Sequence, residues 1–140
     1  MTPMTEPPLN PPPPPPPGPG LPPAGYANND EKTWALVAHF GGAAGALIGT
    51  GCAGWIAPLI ALLAKGNESP AVRQHAVAAL NFQILVSIVG IIGWITTCIL
   101  IGFVIWLAAM AVGIIFGVLA GLKANEGQFY KYPISVPLVK

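Results

Sequence analysis

The sequence predicts an all-α fold: a polytopic helical membrane protein of four helical segments, the first two short, behind a disordered proline-rich N-terminal arm. Three observations predict it. Charged residues make up 8% of the 140 residues, against roughly 25% in a soluble globular chain. Hydrophobic residues reach 54% and the mean hydropathy is +0.65, although 13 of the 17 prolines fall in the first 25 residues. The few charges, finally, divide the body into two long uncharged stretches. A chain of this size cannot hide so much apolar surface in one water-facing core, because small domains bury the smallest fraction of their surface. The lipid bilayer is therefore the first partner the composition names. The net charge of +1 speaks against nucleic acid, which asks for a clustered basic patch.

Residues 1–29 form the arm. The run Pro11 to Pro17, followed by Gly18, Pro19, Gly20, Pro22, Pro23 and Gly25, favours extended polyproline II conformation, since proline fixes φ and lacks an amide donor. The arm has no basic n-region, apolar h-region or small-residue cleavage site, so it is not expected to act as a signal peptide. It serves either as a ligand for a cytoplasmic proline-binding partner or as a solvated tether, and the tether asks for less.

The membrane domain is expected over 30–124, with segments at about 33–48, 55–64, 70–95 and 103–123. Lys32 and Lys65 enclose 32 uncharged residues, and Arg73 and Lys123 enclose 49. About 20 apolar residues cross a ~30 Å hydrocarbon core, so the second stretch must turn back on itself, near Thr96 to Gly102. The first stretch contains Gly49-Thr50-Gly51-Cys52-Ala53-Gly54, which is turn chemistry. Splitting it there leaves two segments below crossing length, either short spans or a re-entrant hairpin screened by the other helices. A hairpin brings Lys32, Lys65, Arg73, Lys123, Lys131 and Lys140 to one side, which the positive-inside rule makes cytoplasmic. A multi-pass protein of the bacterial inner membrane with both termini cytoplasmic is the resulting expectation.

The third segment has a marked start: Ser69 suits the N-cap, Pro70 suits the first helical position, and Glu68 favours the positive helix end. The fourth ends at Lys123, whose amine can reach the headgroups. Tyr130, Tyr132, Pro133 and Pro137 suggest that 125–140 is an extended tail near the interface. Trp34, Trp55 and Trp94 lie near segment ends, as an aromatic belt would; Trp106 does not fit that pattern.

Few residues carry chemistry. Gly49, Gly51 and Gly54 spell the dinucleotide fingerprint GxGxxG, but that motif needs a strand before it and an acid about 20 residues on; between apolar segments it is a turn. Ala109, Gly113, Gly117 and Gly121 recur every four residues and make a helix face that another backbone can approach closely, within the bundle or in a homo-oligomer. Gly42, Gly45 and Gly49 give the first segment a weaker face of that kind. His39, His75, Asn81 and Gln83 form a candidate polar cluster. His39 and His75 are placed at similar depth, and Gln74 shares a face with Asn81. The cluster either lines a path for an ion, peptide or proton, or holds the bundle together by hydrogen bonds across helices; without a carboxylate in any span, the second use leads. Cys52 and Cys98 fall in the two outer turns, where an oxidising face would permit a disulfide, though two free thiols are the simpler state. No triad, metal site or cofactor site can be drawn from two histidines and two cysteines, so no enzyme is expected.

The stretch from Trp34 to Lys140, about three quarters of the chain, resembles a widespread bacterial family of small membrane proteins of unknown function. That family is described as similar to the chloroplast protein-import component Tic twenty. The resemblance rests on Trp34 to His39, Pro58, Arg73-Gln74-His75-Ala76 running into Ala79-Leu80-Asn81-Phe82-Gln83, and Lys123-Ala124-Asn125-Glu126-Gly127 with Tyr130-Lys131-Tyr132-Pro133. It implies a mostly helical inner-membrane protein, with four membrane helices in the import component, and carries no activity with it. A non-enzymatic structural or assembly component is the leading expectation, with a channel or translocation component and a proline-arm adaptor as alternatives.

Overall fold

The computed structural model describes residues 25–140, and these fold as four α-helices with no strand among them. They are α1 (Asn29–Ile48), α2 (Ile56–Lys65), α3 (Pro70–Ile95) and α4 (Ile101–Asn125), with a turn of 3₁₀ helix at Thr96–Ile99. The expected proline arm lies outside the described residues up to position 24.

Helix limits follow capping chemistry more closely than hydropathy. The first helix begins at Asn29, four residues ahead of the uncharged stretch. The Asn28 side chain accepts from the Glu31 amide at 2.9 Å, and the Glu31 carboxylate accepts from the Ala27 amide at 2.8 Å. The pair resembles a capping box, shifted so that Glu31 takes the amide one residue ahead of the Asn28 cap, and acidic side chains suit that end of a helix. Residues 26–28 therefore belong to the packed body rather than to the arm; Tyr26 is buried. At α3 the Ser69 hydroxyl accepts from the Val72 amide at 3.1 Å, with Pro70 opening the helix. Glu68 pairs with Lys65 at 2.9 Å, and Lys65 also reaches Asp30 at 3.4 Å, tying α1 to the end of α2. The fourth helix starts at Ile101, earlier than 103, because the turn is compact: Leu100 takes φ 55°, and the 3₁₀ segment uses only four residues.

Helices α3 and α4 form the long hairpin. At 1.5 Å per residue their 26 and 25 residues span about 39 and 37 Å, and both are long and apolar enough to cross a membrane. The α1–α2 hairpin packs beside them; α1 touches α2, α3 and α4, whereas α2 touches only α1 and α3. Its turn stops short. Gly51 lies against Gly90 and Met110, and Gly90 precedes Thr96 by six residues, so the turn sits about 9 Å below the α3–α4 tip.

Close approach by small residues holds the bundle. A Cβ at Gly113 would meet Val86 at 2.9 Å, one at Gly117 would meet Ala43 at 3.0 Å, and one at Gly121 would meet the Phe40 ring at 2.7 Å. The Ala109–Gly113–Gly117–Gly121 face is thus buried against α1 and α3 of the same chain, and a contact between copies would have to use another surface. On α1, Gly42 faces Gln83 and Gly54, while Gly45 and Gly49 make room for Ala53 of the returning turn.

Both cysteines are free thiols, Cys52 half-buried in the α1–α2 turn and Cys98 exposed at the tip; the disulfide that two outer turns would permit is not formed. All the described charged side chains gather at the opposite end. There Lys123 pairs with Glu126 at 3.0 Å, and Arg73 donates to the Lys140 main-chain oxygen at 2.9 Å.

Two outcomes test this arrangement. In intact membranes a membrane-impermeant maleimide should modify a single Cys98 several-fold faster than a single Cys52, with the difference vanishing in denaturant; equal rates would put the two turns at one level. Gly117→Val should force α1 and α4 apart and cost about 1–3 kcal/mol in detergent-based unfolding, whereas Ile115→Val on the exposed face of α4 should be close to neutral.

Candidate functional site: three separate polar sites

The four residues of the polar cluster divide between three places. His39 and His75 meet directly, Asn81 holds the C-terminal segment, and Gln83 sits alone among glycines.

The first site is a chain of hydrogen bonds. Tyr26 Oη lies 2.8 Å from the Ala124 carbonyl and 3.2 Å from His75 Nε2; His75 Nδ1 lies 3.0 Å from His39 Nε2; His39 Nδ1 lies 2.9 Å from Tyr132 Oη. His39, His75, Tyr26 and Tyr132 are all buried. Both phenols keep their protons. Burial, and then the Glu31 charge, push Tyr26 up to about 12; burial, and then Tyr130, push Tyr132 further up. The donor census then assigns every hydrogen. A carbonyl only accepts, so Tyr26 donates to Ala124 and must receive its other bond from His75 Nε2–H. With both histidines neutral, His75 Nδ1 then accepts from His39 Nε2–H, and His39 Nδ1 accepts from Tyr132. All four bonds point one way, from the C-terminal segment through α1 and α3 to the end of α4. Ring packing surrounds the chain: the two imidazoles are edge-on at 5.3 Å, and Phe129 lies edge-on to His75 at 5.6 Å.

The second site is a clamp on main chain. Asn81 Oδ1 accepts from the amides of Leu138 at 3.0 Å and Val139 at 2.6 Å, while Asn81 Nδ2 donates to the Val139 carbonyl at 2.9 Å. One carboxamide thus mimics a neighbouring strand for a segment that has no ladder of its own. Together with Tyr132 stacked on Phe82 at 4.1 Å and Arg73 on Lys140, it straps residues 126–140 across α3. The expected extended tail is therefore packed on the bundle.

The third site is Gln83, 1% exposed. Its Nε2 donates to the Gly113 carbonyl at 3.2 Å. Gly42, Gly54, Gly113 and Gly117 crowd around the carboxamide, and a Cβ at Gly54 would collide with Oε1. Gln83 Oε1 and Ser87 Oγ, one helical turn apart, are buried with no partner in the protein.

Trp106, which the belt pattern left over, donates from its indole to the Thr50 carbonyl at 2.7 Å, and Trp55 donates to Cys52 at 2.9 Å. These indoles cap the α1–α2 turn. Sequence reasoning missed Tyr26, Tyr132 and Trp106 as partners; aromatic residues carrying a polar tip beside unpaired histidines and an apolar turn were the available signal. Among the described residues no group of three or more His, Cys, Asp or Glu is placed to hold a metal.

The sequence profile of the magnetosome magnetite crystal formation protein family matches residues 30–139. The chain belongs to that family. The match covers the four helices and the C-terminal strap and leaves out the proline arm. No curated relative and no solved structure matches the chain. The resemblance to small bacterial membrane proteins thus resolves into membership of one family, and the likeness to the chloroplast import component finds no support among these matches.

The geometry separates structural from idle polar groups. Asn81→Leu removes three hydrogen bonds to the strap and should destabilise the protein by about 2–3 kcal/mol at ~1 kcal/mol per bond, read as a lowered Tm in detergent. Ser87→Ala removes a hydroxyl that has no partner and should leave Tm unchanged or raise it.

Proposed function

We propose that this protein is a non-enzymatic structural component of the membrane in which magnetite crystals form. The observation that carries the reading is the coincidence of the family match, residues 30–139, with the whole packed body, from the capped start of α1 to the clamped end of the strap. The matched stretch takes in the helices, their packing glycines and the clamped strap, whereas Tyr26 and the Asn28 cap precede it. The protein would span the membrane with α3 and α4 and wedge the α1–α2 hairpin beside them. The positive-inside rule places the charged end, with both chain termini, in the cytoplasm and the uncharged α3–α4 tip on the far side, toward the crystal. The exposed apolar flank of α4, including Val104, Ile115, Leu119 and Leu122, faces lipid or a neighbouring copy.

A channel or translocation role on the pattern of the import component has less behind it. The polar residues lie in three separate sites, and the centre is filled by Gln83 and its glycines. The proline arm remains available to a cytoplasmic partner under either reading.

The test is genetic and microscopic. In a magnetite-forming host, a tagged chain should fractionate with the crystal-bearing membrane, and its deletion should change the number, size or shape of crystals by electron microscopy. A chain found evenly in other membranes, with unchanged crystals on deletion, would overturn the proposal.

A further inference from the structure

We propose that the side of the bundle crossed by the C-terminal strap is a binding site for one anionic phospholipid, with an acyl chain in the groove between α3 and α4 and the phosphate against Lys131, Lys140 and Arg73. Such a site requires that α3 and α4 cross a membrane, as proposed above, and does not require that the membrane forms crystals.

The groove has a volume of about 300 Å³, and every side chain that lines it is hydrocarbon. Phe82, Val86 and Ala109 form its buried floor, Val89 and Ala108 are exposed at its rims, and Ile134 of the strap stands at one end. From Phe82 to Val89 it runs about 10 Å along α3, at 1.5 Å per residue. It stays open because α4 offers only methyl groups at positions 108 and 109. A gap there would forfeit dispersion contacts along its whole lining, so in a bilayer the groove takes up a chain.

Depth decides which part of a lipid meets it. About 20 residues cross a hydrocarbon core, and 20 counted back from Ile101 at the tip end at Phe82. That is where the strap crosses α3: Tyr132 stacks on Phe82, and Asn81 holds Leu138 and Val139. The strap therefore lies at headgroup level. The groove begins directly beneath it, where the acyl chains of that leaflet start.

Charge at that level is uneven. On the α1–α2 side, Asp30, Glu31 and Glu68 outnumber Lys32 and Lys65. On the α3–α4 side, Arg73, Lys123, Lys131 and Lys140 face only Glu126, a surplus of three positive charges. Lys123 pairs with Glu126, which leaves the surplus on Arg73, Lys131 and Lys140. None of these three has an ion pair among the described residues. Arg73 gives one N–H to the Lys140 main-chain oxygen, and with Lys140 and Phe129 it lines a second recess of about 400 Å³ between α3 and the strap.

Cations gathered beside membrane helices on the cytoplasmic side bind anionic head groups, and the hydrocarbon groove below them takes the chain. A soluble acidic partner would meet the charges and leave the groove without an occupant. A second copy fits less well still. In a two-fold dimer the same patch meets itself, so groove against groove would crowd the three cations of both copies together.

The experiment is native mass spectrometry of the full chain, delipidated in detergent and offered equal amounts of phosphatidylglycerol and phosphatidylcholine with identical acyl chains. One phosphatidylglycerol per protein should be retained over phosphatidylcholine by at least about fivefold, the weight of a single surface cation. Lys131→Gln/Lys140→Gln should bring the ratio close to one, whereas Lys32→Gln on the α1–α2 side should leave it unchanged. Ala108→Leu fills the groove from its rim and should abolish retention of the lipid, with helicity by circular dichroism as in the parent. Equal retention of the two lipids, an equal loss from Lys32→Gln, or full retention by Ala108→Leu would each overturn the proposal. A dimer peak that disappears in Ala108→Leu would overturn it in favour of a contact between copies. Should Ala108→Leu not fold, the contrast between the lysine variants decides alone.

Discussion

In an apolar medium every polar group has to find its partner within the chain, because no water stands ready to replace a missing one. Most of this structure depends on that constraint, which only Gln83 Oε1 and Ser87 Oγ escape among the buried side-chain atoms of the described residues. The α1–α2 hairpin turns back beside Gly90 instead of at the bundle's end, so the carbonyls of its turn need donors. Trp106 from α4 and Trp55 from the turn itself supply them with indole N–H groups. At the α3–α4 tip the Thr96 and Thr97 hydroxyls bond back to Ile92 and Gly93 carbonyls, so that the turn exposes mainly Ile99, Leu100 and Ile101. At the charged end the strap has neither helix nor ladder, and Asn81 provides a substitute for a strand.

Packing obeys the same medium. With no hydrophobic drive between helices in lipid, association rests on close contact and interhelical hydrogen bonds. The α4 glycines let α1 approach until Ala43 and Phe40 touch the α4 backbone, and the same closeness lets the Gln83 carboxamide reach the Gly113 carbonyl. Stability at the centre thus comes from shape, with the Gln83 carboxamide and the Ser87 hydroxyl admitted. At the end where the chain's two tails return, it comes from polar links: Tyr26 and Tyr132 are tied to each other through two histidines. The C-terminal segment is fastened to α3 by the Asn81 and Arg73 bonds and by the stack of Tyr132 on Phe82.

This division is one of architecture, with tight helix packing in the body and polar ties at one end. Among the described residues the charged groups are gathered at one end, where Lys65 pairs with Asp30 and Glu68 and Lys123 pairs with Glu126, and the far tip carries no charge. The architecture supplies a long helical hairpin with a strap clamped across it.

Much of the fold was legible in the sequence, because hydropathy and charge act on long stretches. Two uncharged runs, a glycine-rich break at 49–54 and a Ser-Pro start at 69–70 determine four helices with the basic residues at one end. Capping moved the limits: α1 reaches back to Asn29 because the Asn28 side chain satisfies the Glu31 amide and the Glu31 carboxylate holds Ala27 just ahead of the helix, a local effect that span length does not reveal. The site was only half legible. Polar residues within apolar spans announce that they have partners, and His39, His75, Asn81 and Gln83 stood out for that reason. Which partners they find depends on separations of 30 to 93 residues, and no local pattern encodes such distances. Tyr132 read as an interface residue and Trp106 as a misfit until tertiary packing brought one to His39 and the other to Thr50. The sequence by itself determined that polar groups would be buried in an apolar body. Only the tertiary structure decided that they form three unconnected sites, because hydrogen bonds depend on ångström-scale geometry that the packing of whole helices sets.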